Sequence, residues 1–141
     1  MSRAPKMRGV SLRPIGFDDY EALRMAEFTS LGPGWRFSGT TPSPQTFMER
    51  IWQGVTVQLL CVRESDGEYL GWFQSYNTEP DQGITWLAAA NFGGSSSGFG
   101  LGMFLFLDYL FDTFPLRKVY IESPAALDPL LVVRRLNSEV G

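Results

Sequence analysis

The sequence predicts one α/β domain: a mixed, mostly antiparallel sheet flanked by helices, with elements in the order β-α-α-β-β-β-α-β-α. Three observations predict it. Across 141 residues the chain is 44% hydrophobic and 14% aromatic, enough to bury a real core and too apolar for a disordered chain. The run from Ile84 to Glu122 reads as strand, glycine loop, apolar helix, strand. Val55 to Tyr76 reads as a hairpin, two β-rich runs joined by Ser65-Asp66-Gly67. No internal repeat and no linker divides residues 1–141, so they are read as a single domain.

Each element has its own local reason. Val10 to Arg13 alternates apolar and polar residues and then meets Pro14, which predicts a short first strand. Asp18 and Asp19 favour a helix start, with Tyr20, Leu23 and Glu27/Phe28 following at helical spacing. Thr29 to Pro42, rich in Gly, Pro, Ser and Thr, predicts a loop. Ser43-Pro44 is an N-cap followed by a proline at the first helical position, and Phe47, Met48, Ile51 and Trp52 make one apolar helix face. Val55 to Arg63 and Tyr69 to Tyr76 are the hairpin strands, Asn77 to Gly83 a turn, and Ile84 to Ala90 the next strand. An apolar helix over Phe104 to Phe114 and a strand over Lys118 to Glu122 follow. Leu130, Leu131, Val133 and Leu136 then predict one helix between Pro129 and Gly141.

The segment carrying the most chemistry is Ser95-Ser96-Ser97-Gly98-Phe99-Gly100-Leu101-Gly102, which leads into the apolar helix. Small residues leave backbone N–H groups uncovered, and the positive end of a helix dipole favours an anion such as a pyrophosphate. The segment is not a P-loop, because no Gly-Lys-Ser/Thr follows. Nor is it the dinucleotide fingerprint: the spacing is G-x-G-x-G, and only Glu122 lies near the required acidic position. The bland alternative is a flexible connector made of the same residues.

Composition removes several function classes. The chain has no histidine, which excludes Ser-His-Asp and Cys-His triads, a histidine base and nearly every ordinary zinc site; no metal is expected. Twelve basic and fifteen acidic residues leave a net charge of −3, with no basic block beyond Arg3, Lys6 and Arg8, so a nucleic-acid partner is not expected. Cys61 is the single cysteine and cannot form an internal disulfide, which suits a reduced, cytoplasmic setting. No signal-peptide h-region is seen. The apolar stretch Leu101 to Phe114 contains Asp108 and falls short of the roughly 20 residues a bilayer span needs, so no membrane role is expected.

The order of elements resembles the GNAT superfamily of acyl-CoA-dependent N-acyltransferases, closest to the branch that acetylates ribosomal-protein N-termini. Val10-Ser11-Leu12-Arg13-Pro14, Tyr69-Leu70-Gly71-Trp72-Phe73, Ser97-Gly98-Phe99-Gly100-Leu101-Gly102 and Leu116-Arg117-Lys118-Val119-Tyr120-Ile121-Glu122 carry the resemblance, over roughly residues 10 to 123. The resemblance implies acetyl-CoA as cofactor, with the family loop Arg/Gln-x-x-Gly-x-Gly/Ala binding its pyrophosphate. Gly98 and Gly100 match the small positions; Ser95 stands where Arg or Gln is expected, a change worth about 1–2 kcal/mol of cofactor affinity. Ser95, Ser97, Gly98, Phe99, Gly100, Leu101 and Gly102 are thus the implied pyrophosphate cradle. Leu87, Ala88 and Ala89 are implied to pair with the pantetheine arm, and their small side chains would equally suit an ordinary buried strand. Leu127 or Asp128 falls where the family has an asparagine, and the family's final β-hairpin has no counterpart. The sheet is then completed by a second copy, carries an exposed edge, or belongs to a longer chain.

Acyl transfer to an amine needs a base for the amine, a polarised carbonyl and an acid for the departing thiolate. Without histidine, the candidates are Glu122, Ser123 and Tyr76; each also has a plain structural reading as a solvated strand end or core packing. Glu79 and Asp81 read better as turn decoration. The implied acceptor is an amine-bearing small molecule or a protein N-terminus. Trp35 could stack on it and Arg36 hold an anionic group, or both could simply fix the loop that carries them. Three functions stay open: an acetyl-CoA-dependent N-acetyltransferase, a degenerate relative that binds acyl-CoA or a protein without turnover, and an interaction domain without cofactor.

Overall fold

The computed structural model describes residues 6–29, 43–92, 96–122 and 130–134. One seven-stranded sheet runs through them: β1 (Lys6–Met7), β2 (Val10–Pro14), β3 (Val55–Arg63), β4 (Tyr69–Glu79), β5 (Ile84–Asn91), β6 (Lys118–Glu122) and β7 (Leu130–Arg134). The strands lie in chain order. Every neighbouring pair is antiparallel except β5 and β6, which are parallel. A parallel pair needs a crossover, and the long apolar segment supplies it as helix α3 (Ser96–Thr113). Helices α1 (Tyr20–Thr29) and α2 (Pro44–Arg50) cover the other face, α1 being entered through a 3-10 turn at Phe17–Asp19.

Two cores follow from the alternation of the strands. Under α3, Leu12, Cys61, Phe73, Leu87 and Val119 of the sheet meet Leu105, Phe106 and Leu110 of the helix. On the opposite face Leu60, Val62 and Trp72 meet Leu23, Phe47 and Ile51. Ser43 caps α2 by accepting from the Thr46 N–H at 3.2 Å, with Pro44 in the first turn, as its sequence predicts.

Four expectations are corrected. The described residues open with a hairpin, because Arg8 and Gly9 both adopt positive φ (51° and 80°) between β1 and β2. Strand β4 runs on to Glu79 where a turn was expected, because Asn77 at φ 50° takes up a bulge that lets pairing resume at Glu79–Ile84. Met48 and Trp52 do not share the buried face of α2 with Phe47 and Ile51; both are exposed. Leu130–Arg134 is a strand paired with β6, not part of a terminal helix. Its run Leu-Leu-Val-Val is rich in β-branched residues and places Val132 and Val133 on opposite faces, so strand geometry is available to it as readily as helix geometry. Among the described residues, the last element of the predicted order β-α-α-β-β-β-α-β-α is therefore a strand. The segment 30–42, with Trp35 and Arg36, lies outside the described residues, as do Leu127 and Asp128.

Candidate functional site

Strand β5 has two neighbours along only part of its length. β4 follows it from Glu79–Ile84 to Gly71–Asn91. Pairing with β6 runs from Ile84–Lys118 to Leu87–Ile121 and stops there. Ala88 to Asn91 continue beyond that point, so the β6-side edge of this half-strand is not taken up by β6. The side chains at Ala88, Ala89 and Ala90 are methyl groups, and Ala89 is exposed. Helix α3 begins shortly after, at Ser96, at the same end of the sheet.

The helix start changes the reading of the glycine segment. Ser97 to Gly102 lie inside α3, within its first two turns, instead of forming a loop ahead of it. In an α-helix only the first four N–H groups lack an intrahelical acceptor. Those of Ser96, Ser97 and Gly98 fit that description; the N–H groups of Phe99, Gly100, Leu101 and Gly102 are committed to the helix. Phe99 stacks on Phe73, ring centroids 5.2 Å apart, and belongs to the core. Gly102 is there for packing: a Cβ would stand 2.6 Å from Cys61 Sγ and 3.0 Å from Phe73. A Cβ at Gly98 would stand 2.9 Å from Leu70 Cδ1, whereas one at Gly100 would meet nothing within 4 Å. Thus the N–H groups of Phe99, Gly100, Leu101 and Gly102 are spent inside the helix, and only those of its first turn lack an intrahelical acceptor. Ser95 lies outside the described residues.

The acid–base candidates are spread along the sheet. Tyr76 is half-buried on β4, in register with Trp86, which stacks on Tyr120 of β6 at 5.0 Å. Alternation places Tyr76, Trp86 and Ala88 on the face opposite α3. Glu122 ends β6, paired with Leu130 of β7. Ser123 lies outside the described residues. Leu87 is fully buried in the core under α3, so only its backbone is left to act at the end of the β5–β6 pairing.

Sequence reading missed one polar centre. Asp19, 5% exposed, receives both Nη atoms of Arg13 at 2.8 and 2.9 Å, the Gly16 N–H at 2.7 Å and the Tyr69 hydroxyl. Arg13 holds the carboxyl well below the ordinary carboxylate range against the cost of burial, with Tyr69 and Gly16 helping. Every strong acceptor direction is used, so this cluster is a clamp and not a base. The spacing Gly16-x-x-Asp19 carries a cap signal, but the distant Arg13 and Tyr69 meet it only through the sheet. Cys61 is also removed from the chemistry: burial pushes its thiol up to about 11, which keeps it protonated beneath α3. Among the described residues no group of His, Cys, Asp and Glu side chains could hold a metal ion, and no helix is long and apolar enough to cross a membrane.

No protein-family model and no curated protein matches the sequence. Solved structures do match the fold. An acetyltransferase of the GNAT family from Bacillus anthracis gives a TM-score of 0.64 at 10% identity, over 84% of this chain and 72% of that one. Spermidine N-acetyltransferase from Vibrio cholerae, in complex with CoA and spermine, gives 0.64 at 14% identity, over 80% and 70%. Mycobacterium smegmatis RimJ in complex with CoA-disulfide gives 0.59 at 19% identity, over 85% and 65%.

The fold is the GNAT acetyltransferase fold. Within it, β5 parts from β6 toward the end of β5 from which α3 starts, and Ala88 to Ala90 there carry only methyl side chains. A thin chain with an anionic group partway along it suits that arrangement.

Proposed function

We propose that this GNAT-fold chain is an acyl-CoA-dependent N-acyltransferase that moves an acyl group, acetyl in the simplest case, to an amine by direct attack. The observation that carries the reading is the end of β5–β6 pairing at Leu87, after which β5 runs on without β6 to Asn91 and the chain enters α3 at Ser96. Ala88 and Ala89 offer backbone N–H and C=O groups to the amides of a pantetheine arm, and their methyl side chains let it lie close. The N–H groups of Ser97 and Gly98, in the first helical turn, receive the pyrophosphate. Bound there, the thioester would supply the activated acyl group.

The remaining work falls to this chain's residues. Glu122, at the end of β6, takes the amine proton through water. Tyr76 or Ser123 returns a proton to the departing sulfur. The acceptor is an amine-bearing small molecule or a protein N-terminus; the spermine in the V. cholerae complex is a polyamine and agrees with an amine acceptor. β7 is the last strand of the sheet among the described residues, and a second copy adding to it would complete the sheet as a homodimer.

Calorimetric titration of acetyl-CoA, followed by CoA release against an amine panel, tests the reading. Saturable micromolar binding is expected, lost in Ala89→Phe, which fills the opening at an exposed position while the far-UV spectrum stays unchanged. CoA release with at least one amine completes the case. No binding at millimolar cofactor overturns it, and binding without release across the panel leaves binding without turnover.

A further inference from the structure

The first turns of α3 border a second hollow, on the side of the β1–β2 and β3–β4 turns. It has a volume of about 370 Å³, and Arg8, Arg63, Ser65, Leu70, Gly98 and Leu101 line it. Its chemistry is specific. Arg8 is exposed, sits at the tip of the β1–β2 turn at φ 51°, and makes no hydrogen bond or ion pair among the described residues. Arg63 uses Nη1 on Asp66 at 2.9 Å and on Glu68 at 3.3 Å, which braces it and leaves Nε and Nη2 for a ligand. Neither carboxylate lines the hollow. The Ser65 hydroxyl adds a neutral donor, and Leu70 and Leu101 form an apolar wall suited to a flat ring.

We propose that this hollow takes a phosphomonoester attached to a nucleoside, and that the ligand is the 3′-phosphate at the adenosine end of coenzyme A. The second half of this statement rests on the cofactor reading above. Two guanidiniums around one cavity match phosphate, which accepts several charge-assisted hydrogen bonds at once. The need for them is visible in the sequence. Gly93-Gly94-Ser95, just ahead of α3 in the sequence, contains no charged side chain. Gly98 links the two regions, since it belongs to the first turn of α3 and also lines the hollow. A cofactor whose pyrophosphate rests on that turn can send its adenosine end into the hollow. The carboxylates of Glu64, Asp66 and Glu68 lie on the same β3–β4 turn, so Arg8 is the cation on which anion binding depends.

The test compares coenzyme A with dephospho-CoA, which lacks only the 3′-phosphate, on the wild-type chain and on Arg8→Asn. Asparagine tolerates positive φ, so the turn is retained while the charge is removed. The wild type is expected to bind coenzyme A about tenfold more tightly than dephospho-CoA, and the gap is expected to close in Arg8→Asn. Equal affinity for the two in the wild type, unchanged by the substitution, overturns the hollow and leaves the cofactor reading standing. If the wild type binds neither, the cofactor reading falls, and adenosine 3′,5′-bisphosphate decides what remains. Binding of that probe, weakened about tenfold in Arg8→Asn, upholds a phosphomonoester site in its own right; absence of binding overturns it.

Discussion

The two halves of β5 are built from one continuous strand and have opposite characters. From Ile84 to Leu87 it is paired on both edges, Thr85 and Leu87 are fully buried, and Thr85 is tied to Ser75 and Thr78 through hydroxyls at 2.8 Å. From Ala88 to Asn91 it keeps β4 but loses β6, and the side chains of Ala88 to Ala90 shrink to methyl groups. The first half holds the sheet together. The second is paired by β4 on one edge and is not paired by β6 on the other. One strand therefore anchors the sheet through its first half, and the proposed cofactor arm lies along its second.

The strongest way to break the contrast is to attack the paired half. Leu87→Ala should destabilise the fold by about 2–5 kcal/mol, measured by urea unfolding, since the site is enclosed by α3 and cannot collapse freely. A loss below about 1 kcal/mol would mean that the first half is not the anchor described.

The open half has its support on the other face, where Ala90 and Phe92 pack beside Tyr69, whose hydroxyl is held by Asp19. Asp19→Asn should cost about 2 kcal/mol at neutral pH. The sign of the pH effect follows from the lowered carboxyl. Its folded pKa lies below the ordinary value of 3.8, so the stabilisation is present above about pH 4 and is lost as pH falls below it. Unfolding curves from pH 7 to 2.5 should converge for wild type and Asp19→Asn toward the acid end. A constant gap across that range would rule out this linkage.

The smallest effects sharpen the contrast within the helix that the open half launches. Gly102→Ala forces a methyl group against Cys61 and should cost about 1–2 kcal/mol. Gly100→Ala meets nothing and should stabilise the helix by about 0.5–1 kcal/mol. The two changes are chemically identical and two residues apart, so equal thermal shifts would refute the packing difference.

Much of the sheet was legible in the residues. Alternation and turn chemistry set β3, the Ser65-Asp66-Gly67 turn and β5 within a residue, and Ser43-Pro44 marked the start of α2, because these signals act within a few neighbours. The order of elements was enough to indicate the GNAT fold. The helix start at Ser96 was not legible, since serines and glycines are poor helix formers that enter α3 here because Gly98 and Gly102 allow close approach to Leu70 and Cys61. Nor was β7, whose apolar run suits either period until β6 offers it an edge.

What the sequence determined by itself is local: which runs can be strands, where a helix is capped, and which chemistries the absence of histidine removes. The tertiary structure decided where β5 and β6 part, which glycines pack and which stay free, that Asp19 meets Arg13 and Tyr69, and that Arg8 and Arg63 share a hollow with α3. Those outcomes depend on contacts between residues far apart in the chain, and only the register of neighbouring strands brings them together.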